Sequence, residues 1–410
     1  MEETQAIVPC RKFEGYAEWV KGTLHLPGGQ WMIHSYGSLL RLWDLTNGEQ
    51  IGEDWQDGES RVIAIALSPD GKKVCCGSGD GAVRIWNIDT GKAITKWTEH
   101  TDIVSSLCWS RDGGRVVSGS YDLTTKVWDV ESGVAILSIE TGVSCVEAVI
   151  FSPDTTMIAT GGRGHIQFLN IWDSTTGNLV ANLKEYRPAR ALRMNCLAWT
   201  AEGNMLISGA WDGSIMTWDT TTWQPISVLQ GHTATVMDIA ISLNGRILAS
   251  TSWDNTARLW NLEDGQPISS PLQHASAVTS TSFSTDGQLV HTASGFSDKN
   301  AYTWDVSAIL RGAGLDELLS NTDVSSAIPH SYLGTQHIAI QDGVSDKSFL
   351  DVRDTLIKLH IVFEPEHFRM MLQDSNSKIP IRYLRVFLMT PQITMMYAVN
   401  GFHRVSSDFR

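Results

Sequence analysis

Short alternating or apolar runs, separated by turn residues, recur along the first three quarters of the chain. In one clear stretch the runs VIAIAL (62–67), KVCCGS (73–78), AVRIWN (82–87) and KAITKW (92–97) are separated by SPDG (68–71), GDG (79–81) and DTG (89–91). Gly, Pro, Asp and Asn favour chain reversals, whereas β-branched residues favour strands. The pattern therefore predicts a unit of four short antiparallel strands.

A tryptophan followed by Asp or Asn marks each repeat of this unit. The pairs begin at Trp43, Trp86, Trp128, Trp172, Trp218, Trp260 and Trp304, with spacings of 43, 42, 44, 46, 42 and 44 residues. A turn cluster such as SPDG (68–71) or STDG (284–287) precedes each pair. A four-stranded sheet cannot bury both of its faces alone, so we expect the units to stack around an axis.

The motif, its period and its seven copies resemble the WD-repeat (β-transducin-like) family over roughly residues 6–305. The resemblance implies an all-β fold, a seven-bladed β-propeller of four-stranded antiparallel blades. No β-like run follows Asp305 to provide a last strand. We therefore expect the N-terminal segment AIVPCRKFEG (6–15) to pair with the last blade and close the ring.

The composition changes after residue 305, where the tryptophans end and no strand pattern continues. We divide the chain into a propeller (6–305) and an irregular C-terminal tail (306–410) with one short helix predicted within 306–319. The rest of the tail is interpreted as poorly ordered, packed on the propeller, or the product of an unreliable gene model. Its apolar stretch 384–399 is interrupted by Arg385 and Pro391 and is too short for a spanning helix, so we expect no membrane role.

Charge and cysteine content narrow the function classes. The net charge is −14 and no basic run occurs, which argues against general nucleic-acid binding. The six cysteines form no C-x-x-C motif, so they indicate buried thiols in a reducing compartment. The N-terminus MEETQAIVPC has no basic region before an apolar core. We therefore expect an intracellular protein, cytoplasmic or nuclear.

The family resemblance also implies a buried hydrogen-bond chain within blades, because a buried indole N–H and imidazole both need partners. The matching residues are His100, Ser118, Asp122 and Trp128 in blade three; His232, Ser250, Asp254 and Trp260 in blade six; and His274, Thr292, Asp298 and Trp304 in blade seven, whose hairpin has two extra residues. Blade two has Gly58 and blade five has Arg190 at the His position, and blades one and four lack both His and Asp. We expect these divergent blades to depend more on apolar packing.

The His, Ser and Asp sets could be mistaken for catalytic triads. They recur once per blade at structural spacing and nothing marks one nucleophile, so no catalytic residue is predicted. The stretch GSGDGA (77–82) joins two strands and does not precede a helix, so it is not a phosphate-binding loop. The histidines lack ligand spacing, and we expect neither a metal nor a cofactor.

Partners of this family commonly dock on the face that carries the turns between second and third strands, called the top face below. The residue before the turn Asp is Gly79, Tyr121, Trp211, Trp253 or Ser297, with Tyr36 and Arg163 as looser matches. Two positions near the start of each inner strand hold Trp19 and Lys21, Arg61 and Ile63, Ile103 and Ser105, Cys145 and Glu147, Arg193 and Asn195, Thr235 and Met237, and Ala277 and Thr279. The predicted partner-binding residues are Trp19, Tyr36, Arg61, Tyr121, Arg193, Trp211, Met237 and Trp253.

Aromatic and Arg side chains dominate binding hot spots. A basic, aromatic rim would favour a protein or peptide with acidic or phosphorylated groups, or would cage a cation. The alternative is that these aromatics pack on one another, on loops, or under the C-terminal tail.

Three functional hypotheses follow. The first is a non-catalytic interaction scaffold that recognises a protein or peptide. The second is a substrate-receptor adaptor of a ubiquitin ligase, a class that often shows Arg three residues after the repeat Trp. Here those positions hold Thr46, Asp89, Glu131, Thr175, Thr221, Glu263 and Ser307, which weakens that hypothesis. The third is a propeller enzyme, which would need a polar cluster near the axis. The sequence does not determine the partner or the oligomeric state.

Overall fold

Two compact units divide the chain, Met1–Ile328 and Pro329–Arg410. The computed structural model describes residues 7–163, 169–183, 193–295 and 297–319 with their side chains, and the backbone of four further strands between His360 and Ala398. The first unit contains seven four-stranded antiparallel sheets. The seven-bladed propeller predicted from the tryptophan repeat is thereby confirmed.

Each blade runs outward from the axis in chain order. Blade one comprises β2 (Val20–His25), β3 (Trp31–Tyr36), β4 (Leu39–Asp44) and β5 (Glu49–Gln56), and blade two comprises β6 (Val62–Leu67), β7 (Lys73–Ser78), β8 (Val83–Asn87) and β9 (Lys92–Trp97). Blade three comprises β10 (Val104–Trp109), β11 (Arg115–Ser120), β12 (Thr124–Asp129) and β13 (Ala135–Glu140), and blade four comprises β14 (Cys145–Phe151), β15 (Met157–Arg163), β16 (Leu169–Asp173) and β17 (Leu179–Leu183). Blade five comprises β18 (Met194–Trp199), β19 (Met205–Ala210), β20 (Ile215–Asp219) and β21 (Pro225–Leu229), and blade six comprises β22 (Val236–Ile241), β23 (Ile247–Ser252), β24 (Thr256–Asn261) and β25 (Leu272–Gln273).

Blade seven joins the two ends of the propeller. Its three inner strands are β26 (Val278–Phe283), β27 (Leu289–Ser294) and β28 (Ala301–Asp305), and the N-terminal strand β1 (Arg11–Phe13) pairs antiparallel with β28 as the fourth. The expected closure by residues 6–15 is therefore confirmed. Closing the ring in this way makes the seam between blades seven and one depend on both ends of the propeller sequence.

Every inner strand carries a β-bulge at the same position, close to its first residue. The residues left out of register are Lys21, Ile63, Ser105, Glu147, Asn195, Met237 and Thr279. A bulge bends the strand and redirects the side chain of the extra residue. Seven side chains, one per blade, are therefore released from the sheet ladders at one end of the propeller.

The apolar core lies between blades and not within one blade. One cluster joins Ile33 and Trp55 of blade one to Val74 and Trp86 of blade two, and the indoles of Trp55 and Trp86 stack with centroids 6.2 Å apart. Because each blade buries its faces only against its neighbours, stability accumulates from one interface to the next.

A short helix follows the last propeller strand. Helix α1 (Val306–Ala313) begins where the Asp305 side chain accepts a hydrogen bond from the backbone N–H of Ala308, and it ends at Gly314, whose φ of 69° is left-handed. A 3₁₀ turn, Asp316–Leu319, completes the segment predicted as a helix over 306–319. Both pack against the core of blades six and seven.

The second unit contains two antiparallel strand pairs, β29 (His360–Val362) with β30 (Arg369–Met371) and β31 (Tyr383–Met389) with β32 (Gln392–Ala398). The apolar stretch 384–399 largely coincides with the second pair. The other residues of the predicted tail beyond Leu319 lie outside the described residues.

Candidate functional site

The hydrogen-bond chains expected in blades three and six are continuous. In blade three His100 Nδ1 lies 2.7 Å from Asp122, His100 Nε2 lies 2.7 Å from Ser118 Oγ, and Trp128 Nε1 donates to the same oxygen at 2.8 Å. The Ser118 hydroxyl therefore donates to the imidazole and accepts from the indole. Burial lowers the pKa of His100, and hydrogen bonds from Thr124 and His100 lower the pKa of Asp122 to about 2.

Blade six repeats this arrangement. His232 Nδ1 lies 2.9 Å from Asp254, and His232 Nε2 lies 2.8 Å from Ser250 Oγ. Trp260 Nε1 donates to the same oxygen at 2.8 Å. The hydroxyls of Ser118 and Ser250 are fully buried and both of their hydrogen-bonding roles are used. Such a hydroxyl holds the blade together and has no access to a substrate.

Blade seven departs from the expected chain at its acid. His274 Nε2 and Trp304 Nε1 both lie 2.8 Å from Thr292 Oγ1, but His274 Nδ1 faces the Leu272 carbonyl at 3.0 Å. Asp298 instead accepts hydrogen bonds from Tyr302 and from Asn300. The hairpin is two residues longer here, and its acid therefore bonds within the hairpin itself.

The divergent blades one and two contain partly buried ion pairs in addition to the apolar packing expected of them. In blade two the guanidinium of Arg84 contacts Ser78, Asp80 and Asp57 at 2.7–3.0 Å. Gly58, at the expected His position, lies next to that guanidinium and leaves space for it. The Arg84 hydrogen bonds lower the pKa of Asp80 to about 2.

Blade one also contains an arginine–aspartate ion pair. Arg41 contacts Asp54 through Nε at 2.7 Å and Nη2 at 2.8 Å, and it also donates to the Tyr36 hydroxyl. Tyr36 is only 3% exposed and its ladder partner is Leu39. The short turn at 37–38 keeps Tyr36 inside strand β3, so it does not reach the top-face rim where the sequence placed it.

The serine of blade six offers a measurable test of these chains. Ser250→Ala removes a hydroxyl that serves both Trp260 and His232, whereas Thr160→Val in blade four removes one that, among the described residues, serves only Trp172, at 2.8 Å. Leaving buried polar groups without partners should cost about 2–3 kcal/mol for Ser250→Ala and about 1–2 kcal/mol for Thr160→Val. Urea unfolding at pH 7.5 measures both. Equal losses would contradict the shared-hydroxyl arrangement.

The bulged residues surround the mouth of a central channel of about 640 Å³. Three of them tie neighbouring blades, because Ser105, Asn195 and Thr279 donate to the carbonyls that precede the next blade's bulge, at 2.5, 3.0 and 2.7 Å. The other four, Lys21, Ile63, Glu147 and Met237, make no such tie and line the channel. These four side chains are therefore presented to whatever enters the mouth.

Two predicted partner-binding tryptophans meet on the top-face rim. Trp211 and Trp253 are 42% and 43% exposed, and their rings contact edge to face with centroids 6.2 Å apart. The guanidinium of Arg193 lies 4.5 Å from the centre of the Trp211 ring and pairs with Glu147 at 2.5 Å. Tyr121 donates to the same carboxylate at 3.1 Å. Below, this group is called the mouth cluster.

The remaining predicted residues lie around the same opening. Trp19 and Met237 line the channel, with the Lys21 ammonium 5.6 Å from the Trp19 ring. Arg61 is exposed and pairs with Glu18 at 3.2 Å. The rim is therefore less basic than predicted, because Glu18 and Glu147 compensate the charges of Arg61 and Arg193.

Sequence reasoning missed one residue of the channel entirely. Asp238 interrupts the inner strand VMDIAI, and its carboxylate accepts from Ser280 Oγ and the Thr281 N–H of the next blade, both at 2.9 Å. Burial raises the pKa of Asp238 to about 6, while these hydrogen bonds oppose the rise. A lone acid in an otherwise apolar inner strand was the available signal.

Among the side chains that the structure describes, no group of three or more His, Cys, Asp or Glu could hold a metal ion. No helix within the described residues is both long and apolar enough to cross a membrane.

Seven four-stranded blades around an open channel, each with a tryptophan on its third strand, define a WD-repeat β-propeller. The family described as "IFT122 first beta-propeller" matches residues 87–313, more than half of the chain, and the chain belongs to this family of WD-repeat propellers. A second description, "Anaphase-promoting complex subunit 4 WD40 domain", matches residues 38–110.

Relatives of known name share part of the propeller. A guanine nucleotide-binding protein subunit beta of Arabidopsis thaliana is 25% identical, covering 46% of this chain and 40% of that protein. Eukaryotic translation initiation factor 3 subunit I of Scheffersomyces stipitis is 26% identical, covering 47% and 45%. Anaphase-promoting complex subunit cdh1 of Dictyostelium discoideum is 30% identical, covering 24% and 13%. The chain thus spans less than half the length of these relatives.

Proposed function

We propose that this chain is a non-catalytic recognition propeller that binds a segment of a protein or peptide partner on its top face. The observation that carries the proposal is the pair of exposed, contacting indoles of Trp211 and Trp253 beside the channel mouth. Tryptophan is strongly enriched among residues that dominate binding energy, since it buries a large area at a small entropic cost.

The blades do not require tryptophan at this position. The equivalent residues are Gly79 in blade two and Tyr121 in blade three, while the structural indole of each blade lies on the third strand, as Trp260 does in blade six. Trp211 and Trp253 therefore add surface to the mouth without completing a core. This separation of the two kinds of tryptophan supports a binding role.

The names of the relatives are consistent with a role in multi-protein complexes. Three of them are named as subunits: of a guanine nucleotide-binding protein, of a translation initiation factor and of the anaphase-promoting complex. We extend to this chain only the general inference that its propeller works in contact with other proteins.

The polar geometry supports a non-catalytic role. The buried Ser118 and Ser250 hydroxyls are fully engaged by their own blades. A nucleophilic serine needs instead an exposed oxygen beside a donor group that stabilises developing charge. The repeated His, Asp and Ser sets are therefore explained by blade stability.

Replacing both rim tryptophans tests the proposal. Trp211→Ala plus Trp253→Ala should change the unfolding midpoint little, because both rings are nearly half exposed. The same variant should lose most of the partner capture seen with the wild type. Affinity capture followed by quantitative mass spectrometry compares the proteins retained by each form.

Trp31 supplies the matched control for that experiment. It is 42% exposed, like Trp211, but it begins strand β3 at the end of blade one opposite the top face. Trp31→Ala should retain the partners of the wild type. If the double variant retains them equally well, the top-face proposal fails, and if it unfolds, the two indoles belong to the core.

A further inference from the structure

Four ionisable side chains line the channel near its mouth: Lys21, Glu147, Arg193 and Asp238. They come from four different blades, and their formal charges cancel. What distinguishes the acids from the bases is the extent to which each group is already hydrogen-bonded. A ligand would respond to that difference, because only unfilled donors or acceptors are available to it.

The carboxylates of Glu147 and Asp238 already accept hydrogen bonds from neighbouring groups of the protein. Glu147 is contacted by Arg193 at 2.5 Å, by the Tyr121 hydroxyl at 3.1 Å and by the Cys145 thiol at 3.4 Å. Asp238 accepts from Ser280 and Thr281 through one oxygen and from the Ile239 N–H, at 2.9 Å, through the other. A partner's cation would therefore compete with established contacts at either acid.

Both bases have donors without acceptors. Within the described residues the Lys21 ammonium makes no hydrogen bond or ion pair; the Trp19 ring lies 5.6 Å away, and the charges of Glu147 and Asp238 act on the ammonium from beyond ion-pair distance. The Nε of Arg193 is buried and has no hydrogen-bond partner in the described chain. Burial lowers the pKa of Lys21, and the nearby charges of Glu147 and Asp238 oppose that effect.

We propose that the channel mouth is an anion site in which Lys21 receives a carboxylate or phosphate of a bound segment, with the positive charge of the Arg193 guanidinium beside it. This inference rests on the proposed top-face binding and names the chemistry that it selects. The acidic residue would enter the channel, while its apolar neighbour would lie on the Trp211–Trp253 pair. Charge-assisted hydrogen bonds of this kind strengthen when both groups leave water together.

The bulge explains why a lysine is tolerated at this position. Lys21 is out of register in the β2–β3 ladder, so its side chain takes no part in strand pairing. The same position holds Met237 in blade six and Ile63 in blade two, so the fold accommodates an unbranched or branched apolar side chain there. Lys21→Met should consequently remove the charge and preserve the blade.

The test measures binding of the protein to an array of synthetic peptides. Each peptide has an apolar residue next to one varied position, which holds Glu, phosphoserine, Gln or Lys. Wild-type protein should bind the Glu or phosphoserine peptides at least about tenfold more strongly than the Gln peptides, as expected for a charge-assisted contact. In Lys21→Met this preference should fall below about threefold, and Lys21→Arg should restore part of it. Comparing the Glu and phosphoserine arms identifies which anion the site takes.

Lys12→Met provides the matched control, because it removes one cation that is exposed on the outer strand β1 and already paired with Glu14. It should leave the preference intact. An unchanged preference in Lys21→Met, or binding by the wild type without any preference for an anion, would overturn the anion site while leaving top-face binding in place. Absence of any peptide binding by the wild type would overturn both.

Discussion

Acidification from pH 7.5 to pH 4.5 should destabilise this propeller by about 5 kcal/mol or more, mainly through three buried histidines between blades seven and one. His25 and His291 pack edge to face with ring centroids 4.1 Å apart, and His34 lies near the same seam, beside Phe13. Within the part of the chain that the structure describes, four of their nitrogens have no hydrogen-bond partner: both ring nitrogens of His25, Nε2 of His34 and Nε2 of His291. Neutral rings are tolerated there, but protonated rings would be buried charges; Asp286 acts on His25, but burial outweighs it.

The direction follows from the folded-state pKa values. Burial lowers the pKa of His25 to about 4 and that of His34 to about 3, and the pKa of His291 also lies well below its usual range. The unfolded chain, with ordinary histidine pKa values near 6.5, therefore binds more protons as the pH falls. This contribution to stability is fully present above about pH 6.5 and is lost as the pH falls, down to about pH 4 for His25 and about pH 3 for His34.

Asp238, in the channel, has the opposite effect on the pH dependence of stability. The pKa of Asp238 is raised to about 6, so its protonation favours the folded state as the pH falls toward 4. Asp238→Asn should consequently make the acid loss steeper. The strongly hydrogen-bonded Asp80 and Asp122, with pKa values of about 2, lose their contribution only below about pH 4.

His25→Phe isolates the histidine contribution, since Phe keeps a ring against His291 and cannot titrate. The variant should match the wild type at pH 7.5 and should lose stability less steeply, by about one proton or 1.4 kcal/mol per pH unit between pH 6 and 4.5. Urea unfolding at half-unit pH steps gives both slopes. Equal slopes would show that the seam histidines do not control acid sensitivity.

The second large effect should come from Phe13, on the strand that closes the ring. Its ring is buried and lies 5.2 Å from the Trp43 ring of blade one, while its backbone pairs with Ala301 of blade seven. Phe13→Ala should cost about 3–5 kcal/mol, the usual cost of emptying a buried phenylalanine site. Denaturant unfolding measures the loss. Val8→Ala, at a side chain that is 74% exposed, should be nearly neutral.

A second control separates ring closure from general core damage. Phe151 is a buried phenylalanine between blades three and four, so Phe151→Ala should cost a comparable free energy. Hydrogen exchange should differ between the two variants. Phe13→Ala should deprotect the amides of β1 and β28 first, whereas Phe151→Ala should leave them protected. Identical exchange patterns would contradict a special role for the closing seam.

The repeat pattern was sufficient to predict the fold, because each blade encodes its own turns and its own third-strand tryptophan. Ring closure followed from counting strands, since the last tryptophan lacks a partner strand after Asp305. The hydrogen-bond chains of blades three and six could also be placed, because local spacing determines which side chains meet across a hairpin. These features depend on contacts within one repeat.

Features that depend on two blades, or on a hairpin of different length, could not be read in this way. The longer hairpin of blade seven redirects Asp298, and the shorter one of blade one buries Tyr36. The charge state of the rim depends on Glu147 of blade four facing Arg193 at the edge of blade five. Spacing along the chain carries little information about such facing pairs.

The seven bulges also give the molecule a property useful to protein engineers. A side chain outside the ladder can be exchanged without altering strand register. The residues at the channel mouth can therefore be substituted one position per blade. Ser105, Asn195 and Thr279 should stay, since they fasten adjacent blades. Ile63 and Met237 are the natural sites for new specificities. A lysine or glutamate placed there would change the charge of the channel mouth, and hence its binding specificity, while the seven sheets remain as they are.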